Sequence, residues 1–155
     1  MPNQDPARYF VDETDLGLGK ALAAARAPVL HPGHAGLPEV PIGTLDPDWI
    51  PVVARLGLVV ITRDRLRRAA EKQLLVSEGL RVIRIAAKQQ LSTWGTVQLV
   101  AGSWDRIESH VKKFGAGPWA ATIDSAGVIK EDAVIAALIA RMVVADLESV
   151  AEQTK

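Results

Sequence analysis

The segment DPDWIPVVARLGLVVITRDRLRR, residues 46–68, carries the most readable structural information in the chain. Asp before Pro opens a helix, because the carboxylate meets free backbone N–H groups and Pro is tolerated in a first turn. Either Asp46 or Asp48 can cap it. A cap at Asp48 keeps Pro51 inside the first turn, where its missing N–H removes no bond. Gly57 stops the helix, and Leu58 to Ile61 is a compact aliphatic run that ends at Thr62, Arg63 and Asp64. That run predicts a buried strand with a carboxylate at its C-terminal end.

The same arrangement stands upstream in RYFVDETDLGLGKALAA, residues 8–24. Ala7 to Val11 predicts a strand that ends abruptly in Asp12, Glu13, Thr14 and Asp15. Leu16 to Arg26 has helical apolar spacing, with Gly17 and Gly19 weakening its first turn. Pro28 to Leu30 predicts a short strand that runs into HPGHAGLPEVPIG, residues 31–43, an extended loop rich in Pro and Gly. Downstream, Leu66 to Glu78 predicts a helix stopped by Gly79, and Leu80 to Ala86 predicts a strand. Thr93 to Phe114 reads as one long helix with Val97, Val100, Trp104, Ile107 and Val111 on its apolar side. WAATIDSAGVIK, residues 119–130, predicts a small hairpin or an extended segment with a turn near Ser125 to Gly127, and Glu131 to Glu152 a final helix.

Strands that alternate with helices, and that are aliphatic on both faces, predict an α/β fold: a central, mainly parallel sheet between two helical layers, plus a C-terminal helix. The expected organisation is a flexible start over 1–7, a domain over 8–129, and a helix and tail over 130–155. A chain of 155 residues with 48% apolar residues suits one domain with its own core.

With no cysteine, the chain has no disulfides, no thiolate catalysis and no cysteine-based zinc site. The start has no secretory pattern and no apolar run reaches the ~20 residues of a membrane span, so a cytoplasmic location is expected. Eighteen basic residues balance eighteen acidic ones. Contact with nucleic acid therefore requires a local basic patch. Arg63, Arg65, Arg67 and Arg68 around Asp64 supply one, suited to the phosphates of a nucleic-acid backbone.

Ligands of an open parallel sheet bind beyond the C-terminal ends of its strands. Right-handed crossovers would bring three acidic groups to that edge: Asp12 with Glu13, Asp46 with Asp48, and Asp64. Convergent carboxylates repel unless a hard cation lies between them, and Mg²⁺ or Mn²⁺ accepts such an all-oxygen site. An ion held there can acidify a water and stabilise both oxygens of an in-line phosphodiester displacement.

With LRVIRIAA at 80–87, these two segments resemble the PIN-like nuclease superfamily, especially small bacterial relatives of the toxin–antitoxin ribonucleases of the VapC type. The resemblance covers most of residues 8–125. It implies a metal-dependent endoribonuclease using Mg²⁺ or Mn²⁺, and a cognate antitoxin that occludes the site. Carried over by position, the first acid is Asp12 with Glu13 beside it, the helix-start acid is Asp48 or Asp46, and the last is Asp64, with Thr62 as a supporting hydroxyl. Asp12, Asp48 and Asp64 take the catalytic and metal-holding positions in that correspondence, and Glu13 and Asp46 are supporting or alternative metal ligands. Many relatives carry another Asp soon after the Thr-Arg-Asp acid, whereas Arg65 and Leu66 follow here. A degenerate domain that binds RNA or protein without cutting is the alternative. A phospho-acceptor switch using Lys88 ranks below both, since it needs a single acceptor Asp directly at the end of a central strand.

Other features carry less. His31 and His34 stand three apart in a loop, but His110 is the only other histidine, so a histidine zinc site has little support. Trp94, Trp104 and Trp119 can stack on bases, although packing is the commoner use. GLGK at 17–20 lacks the rest of a phosphate loop. The last helix carries a stripe of Val134, Ile135, Leu138, Ile139, Met142 and Leu147, which either caps the domain's own core or forms a homodimer.

Overall fold

The computed structural model describes residues 8–26, 28–65, 68–87 and 90–154. Its elements run β1 (Tyr9–Val11), a 3₁₀ turn (Glu13–Asp15), α1 (Leu16–Ala25), β2 (Val29–Leu30), α2 (Asp46–Arg55), β3 (Val59–Thr62) and α3 (Ala69–Ser77). They continue with β4 (Arg81–Ile85), α4 (Thr93–Gly102), α5 (Trp104–Phe114), β5 (Trp119–Ile123), β6 (Ile129–Glu131) and α6 (Ala133–Gln153). The six strands form one sheet in the order β2-β1-β3-β4-β5-β6. All neighbours are parallel except β6, which closes the edge antiparallel to β5.

The central strands β1 and β3 are buried on both faces because both are covered. Tyr9, Val11, Val59, Ile61, Ile83 and Ile85 point to one side and pack with Leu18 and Leu22 of α1, Val100 of α4 and Trp104, Ile107 and Val111 of α5. Phe10, Val60 and Val82 point to the other and pack with Trp49, Ile50 and Val53 of α2, Leu75 and Val76 of α3 and Ile135 of α6. Each fully buried side chain of this kind contributes roughly 1.5–3 kcal/mol. The result is the three-layer α/β arrangement that the sequence predicts.

The order of strands also locates a crevice. From β1 the chain crosses outward to β2 and then back over β1 to β3, so the winding reverses between β1 and β3. The connections leaving those two strands diverge, which opens a gap beyond their C-terminal ends.

Three local expectations change. The single helix over 93–114 is two, α4 and α5, separated at Ser103. The apolar spacing runs through the break unaltered, while Gly102 is a poor helix former and the buried Ser103 adopts a non-helical backbone. Helix α2 begins at Asp46 with Leu45 as its cap residue, so neither aspartate caps it and Pro51 lies inside. The stripe on α6 divides. Ile135, Leu138, Ile139 and Met142 pack on the α2/α3 layer, whereas Val134, Val143, Val144, Leu147 and Val150 are exposed.

Residues 1–7, Arg67 and Lys88 lie outside the described residues. No helix among the described residues is long and apolar enough to cross a membrane.

Candidate metal centre

Strand alternation decides where the acids point. Val11 and Ile61 face the α1/α4/α5 layer, so the residues after them, Asp12 and Thr62, turn towards α2 and α3. The Thr62 hydroxyl donates to Asp12 Oδ2 at 2.9 Å and accepts the Asp64 backbone N–H at 3.0 Å. One hydroxyl thus ties the acid of β1 to the acid of β3. Thr14 donates to Asp12 Oδ1 at 2.7 Å.

Asp12 is buried. Burial pushes its carboxyl up to about 6 from the usual 3.8; the two threonine hydrogen bonds act against the rise, and the Asp64 and Asp46 carboxylates add to it. Asp46 comes from the first turn of α2, where the helix dipole favours negative charge. The indole N–H of Trp49 donates to its Oδ1 at 2.9 Å.

A fourth carboxylate enters from α3. One oxygen each of Asp46, Asp64 and Glu71 lies within 4.8 Å of the others. Glu71 is raised above the ordinary glutamate range by desolvation first and by Asp64 and Asp46 next, with Arg68 opposing from 3.7 Å. All four acids line one cavity of about 30 Å³ whose walls include Trp49, Ile50, Val60 and Leu75. That is room for an ion with about one water. Three oxygens at this separation cannot all be charged cheaply without a cation between them. An all-oxygen donor set of this size fits Mg²⁺ or Mn²⁺.

The remaining site residues are distributed as follows. Asp48 is exposed on α2 and is not in the group of three. Glu13 is outside the group of three, and both its carboxylate oxygens accept the Gly43 N–H, at 2.9 and 3.1 Å, pinning the 31–45 loop. Arg63 is partly buried; it pairs with Asp15 at 3.4 Å and donates to the Leu91 carbonyl at 3.1 Å. Arg65 is exposed and, with Arg68, borders the open groove above Asp46, Asp64 and Glu71. Arg67 falls outside the described residues. His31 is buried and its Nδ1–H donates to the Pro32 carbonyl at 2.8 Å, while His34 Nδ1 accepts the Gly36 N–H at 2.8 Å. Both histidines therefore shape their loop.

Glu71 is the acid that strand-end logic does not find, because it lies inside a helix. Its signal is periodicity: Glu71 is one turn before Leu75, a buried residue, so a carboxylate begins the inward stripe of α3.

The double role of Thr62 is testable. Thr62→Val keeps the shape and removes the hydroxyl, and should weaken Mn²⁺ binding about tenfold or more, as loss of a residue that orients metal ligands does. Thr62→Ser should restore it. Melting temperature against Mn²⁺ concentration measures both, and unchanged affinity in the valine variant would leave Thr62 a purely structural residue.

The profile of one family, described as a PIN-like domain, matches residues 7–87. No curated protein and no solved structure matches the chain. The match spans Asp12, Asp46, Asp64 and Glu71 together, and by it the chain belongs to the PIN-like domain family.

Proposed function

We propose that the chain is a metal-dependent endoribonuclease that hydrolyses RNA phosphodiester bonds in the crevice beyond β1 and β3. The observation that carries this is the convergence of Asp12, Asp46, Asp64 and Glu71, from four separate segments, on one ion-sized cavity. Caps and strand ends explain single acids. They give no reason for four to share a cavity at the cost of mutual repulsion.

Asp46, Asp64 and Glu71 would hold Mg²⁺ or Mn²⁺, with Asp12 behind them. Such an ion, when bound, supplies an acidified water and charge stabilisation at the phosphoryl oxygens. The protein supplies the aim: the Trp49 indole fixes Asp46, and the Thr62 hydroxyl links Asp12 to Asp64. Apolar walls exclude water on the inner side, which strengthens every charge interaction there. On the outer side Arg65 and Arg68 offer guanidinium N–H groups to flanking phosphates.

Glu71 supplies a further acid beyond Thr-Arg-Asp, where Arg65 and Leu66 directly follow Asp64, and this favours catalysis over a degenerate binding module. The toxin half of a toxin–antitoxin pair is the setting that the resemblance implies, and RNA cleavage by the isolated chain is its first requirement. The test is incubation of the purified chain with a mixed pool of structured RNAs in Mg²⁺, in Mn²⁺ and in chelator. Products are expected in either metal and none in chelator. Equal cutting in chelator would remove the metal from the mechanism, and no cutting with no Mn²⁺ binding would make the chain a binding module.

A further inference from the structure

Helix α6 carries two apolar faces, and the domain covers one. Ile135, Leu138, Ile139 and Met142 form the face that packs on the α2/α3 layer. At about 3.6 residues per turn, Ala136, Ala140, Val143, Leu147 and Val150 form a second stripe, turned about 110° from the first. Their spacing alternates four and three, the period of a seam between paired helices. Val143, Leu147 and Val150 are 52%, 66% and 59% exposed, and Val144 beside them is 53% exposed. Single exposed apolar residues are ordinary, but a continuous stripe of this kind marks an interaction surface.

The end of the helix also lacks support from the domain. Every residue from Val143 to Gln153 is exposed, so three turns of α6 stand clear in water. A stretch of about eleven residues is marginal as a helix by itself, and the β-branched Val143, Val144 and Val150 lower its propensity further. Packing along an apolar face is what holds such a helix.

We infer that this stripe pairs with the same stripe of a second copy of the chain, the two α6 helices running antiparallel about a two-fold axis near Val144 and Ala145. The charges flanking the stripe select this occupant and this direction. Arg141 and Glu148 lie seven residues apart on one flank. About that axis each Arg141 comes level with the partner's Glu148, so two pairs of opposite charge form together. In the seam, Val143 then meets the partner's Leu147, and Ala140 meets the partner's Val150. A parallel pair would set Asp146 beside the partner's Glu148, like charge against like. In the antiparallel pair the two Asp146 carboxylates stand on the other flank in open water, where salt screens them. A two-fold contact uses the same patch on both copies and closes at two.

Asp132 fixes the direction in which the helix leaves the domain. Its carboxylate accepts the Val134 and Ile135 N–H groups at 3.0 and 3.2 Å and pairs with Arg84 of β4 at 3.4 Å. Pairing through α6 therefore sets the two domains in one relative orientation, and it is independent of the nuclease reading.

Sedimentation equilibrium of the full chain in chelator tests the pairing. A dimer is expected with a dissociation constant of about 10 µM, because the seam is short. Leu147→Asp places a charge in the seam at a position exposed in the single chain; it should weaken association at least tenfold and leave the near-ultraviolet circular dichroism of the domain unchanged. Arg141→Glu and Glu148→Arg should each weaken it about threefold to tenfold, and the two changes together should restore it. A monomer at about 100 µM overturns the inference, and so does association that Leu147→Asp leaves intact. Failure of the double reversal to restore pairing overturns the antiparallel register.

Discussion

Asp64→Asn is expected to lower Mn²⁺-dependent RNA cleavage about a thousandfold, because it removes one of the three carboxylates that meet within 4.8 Å. Stabilisation of transition-state charge by a bound ion is worth several kcal/mol, and each ~1.4 kcal/mol is a factor of ten in rate. Asparagine keeps the shape and the backbone contact to Thr62, so circular dichroism in chelator should match the wild type. Glu71→Gln should cost a similar amount, although Glu71 lies inside a helix and not at a strand end. Asp48→Asn should stay within about twofold of the wild type, because Asp48 is exposed outside the group. Cleavage rates for the three variants decide the ligand set. Full activity in Asp64→Asn would take that residue out of the mechanism.

The second large effect is on stability, and it has the opposite sign. Burial holds the Asp12 carboxyl up to about 6, so protonated Asp12 favours the folded state and ionised Asp12 opposes it. Its favourable contribution is complete below pH ~4 and is lost as pH rises through about 6. A shift of about two pH units corresponds to about 3 kcal/mol. Asp12→Asn removes the charge and keeps partners for both threonine hydroxyls. In chelator at pH 7.5 this variant should melt about 5 °C or more above the wild type, and near pH 4 the two should coincide. Mn²⁺ should raise the melting temperature of both proteins, because Asp46, Asp64 and Glu71 are present in each. Coincident melting at both pH values would mean that Asp12 is not strained.

The layered fold and the strand-end acids were legible because each depends on local chemistry. An aliphatic run bounded by Gly57 and Thr62 is too short for a helix and reads as a buried strand, and its exit residue is fixed by alternation. Asp12 and Asp64 followed from that logic. What the sequence leaves open is which face of a helix start turns inward. Asp46 and Asp48 sit two residues apart in the same first turn, and the choice is made by Trp49, whose indole reaches Asp46. Glu71 was hidden among charged neighbours in α3 because an inward acid looks like a solvated one until the opposite wall is known. The break between α4 and α5 escaped for a related reason: the apolar period continues across it, so periodicity alone carries no trace of the interruption.

Arg63 joins Asp15, just past β1, to Leu91, past β4, while standing itself at the end of β3. Three connections that would otherwise fluctuate independently are thereby tethered to one guanidinium. The entropy of ordering them is met during folding and not on ligand arrival. A mouth tethered in this way is largely set in width before anything enters, which favours selection by fit over closure.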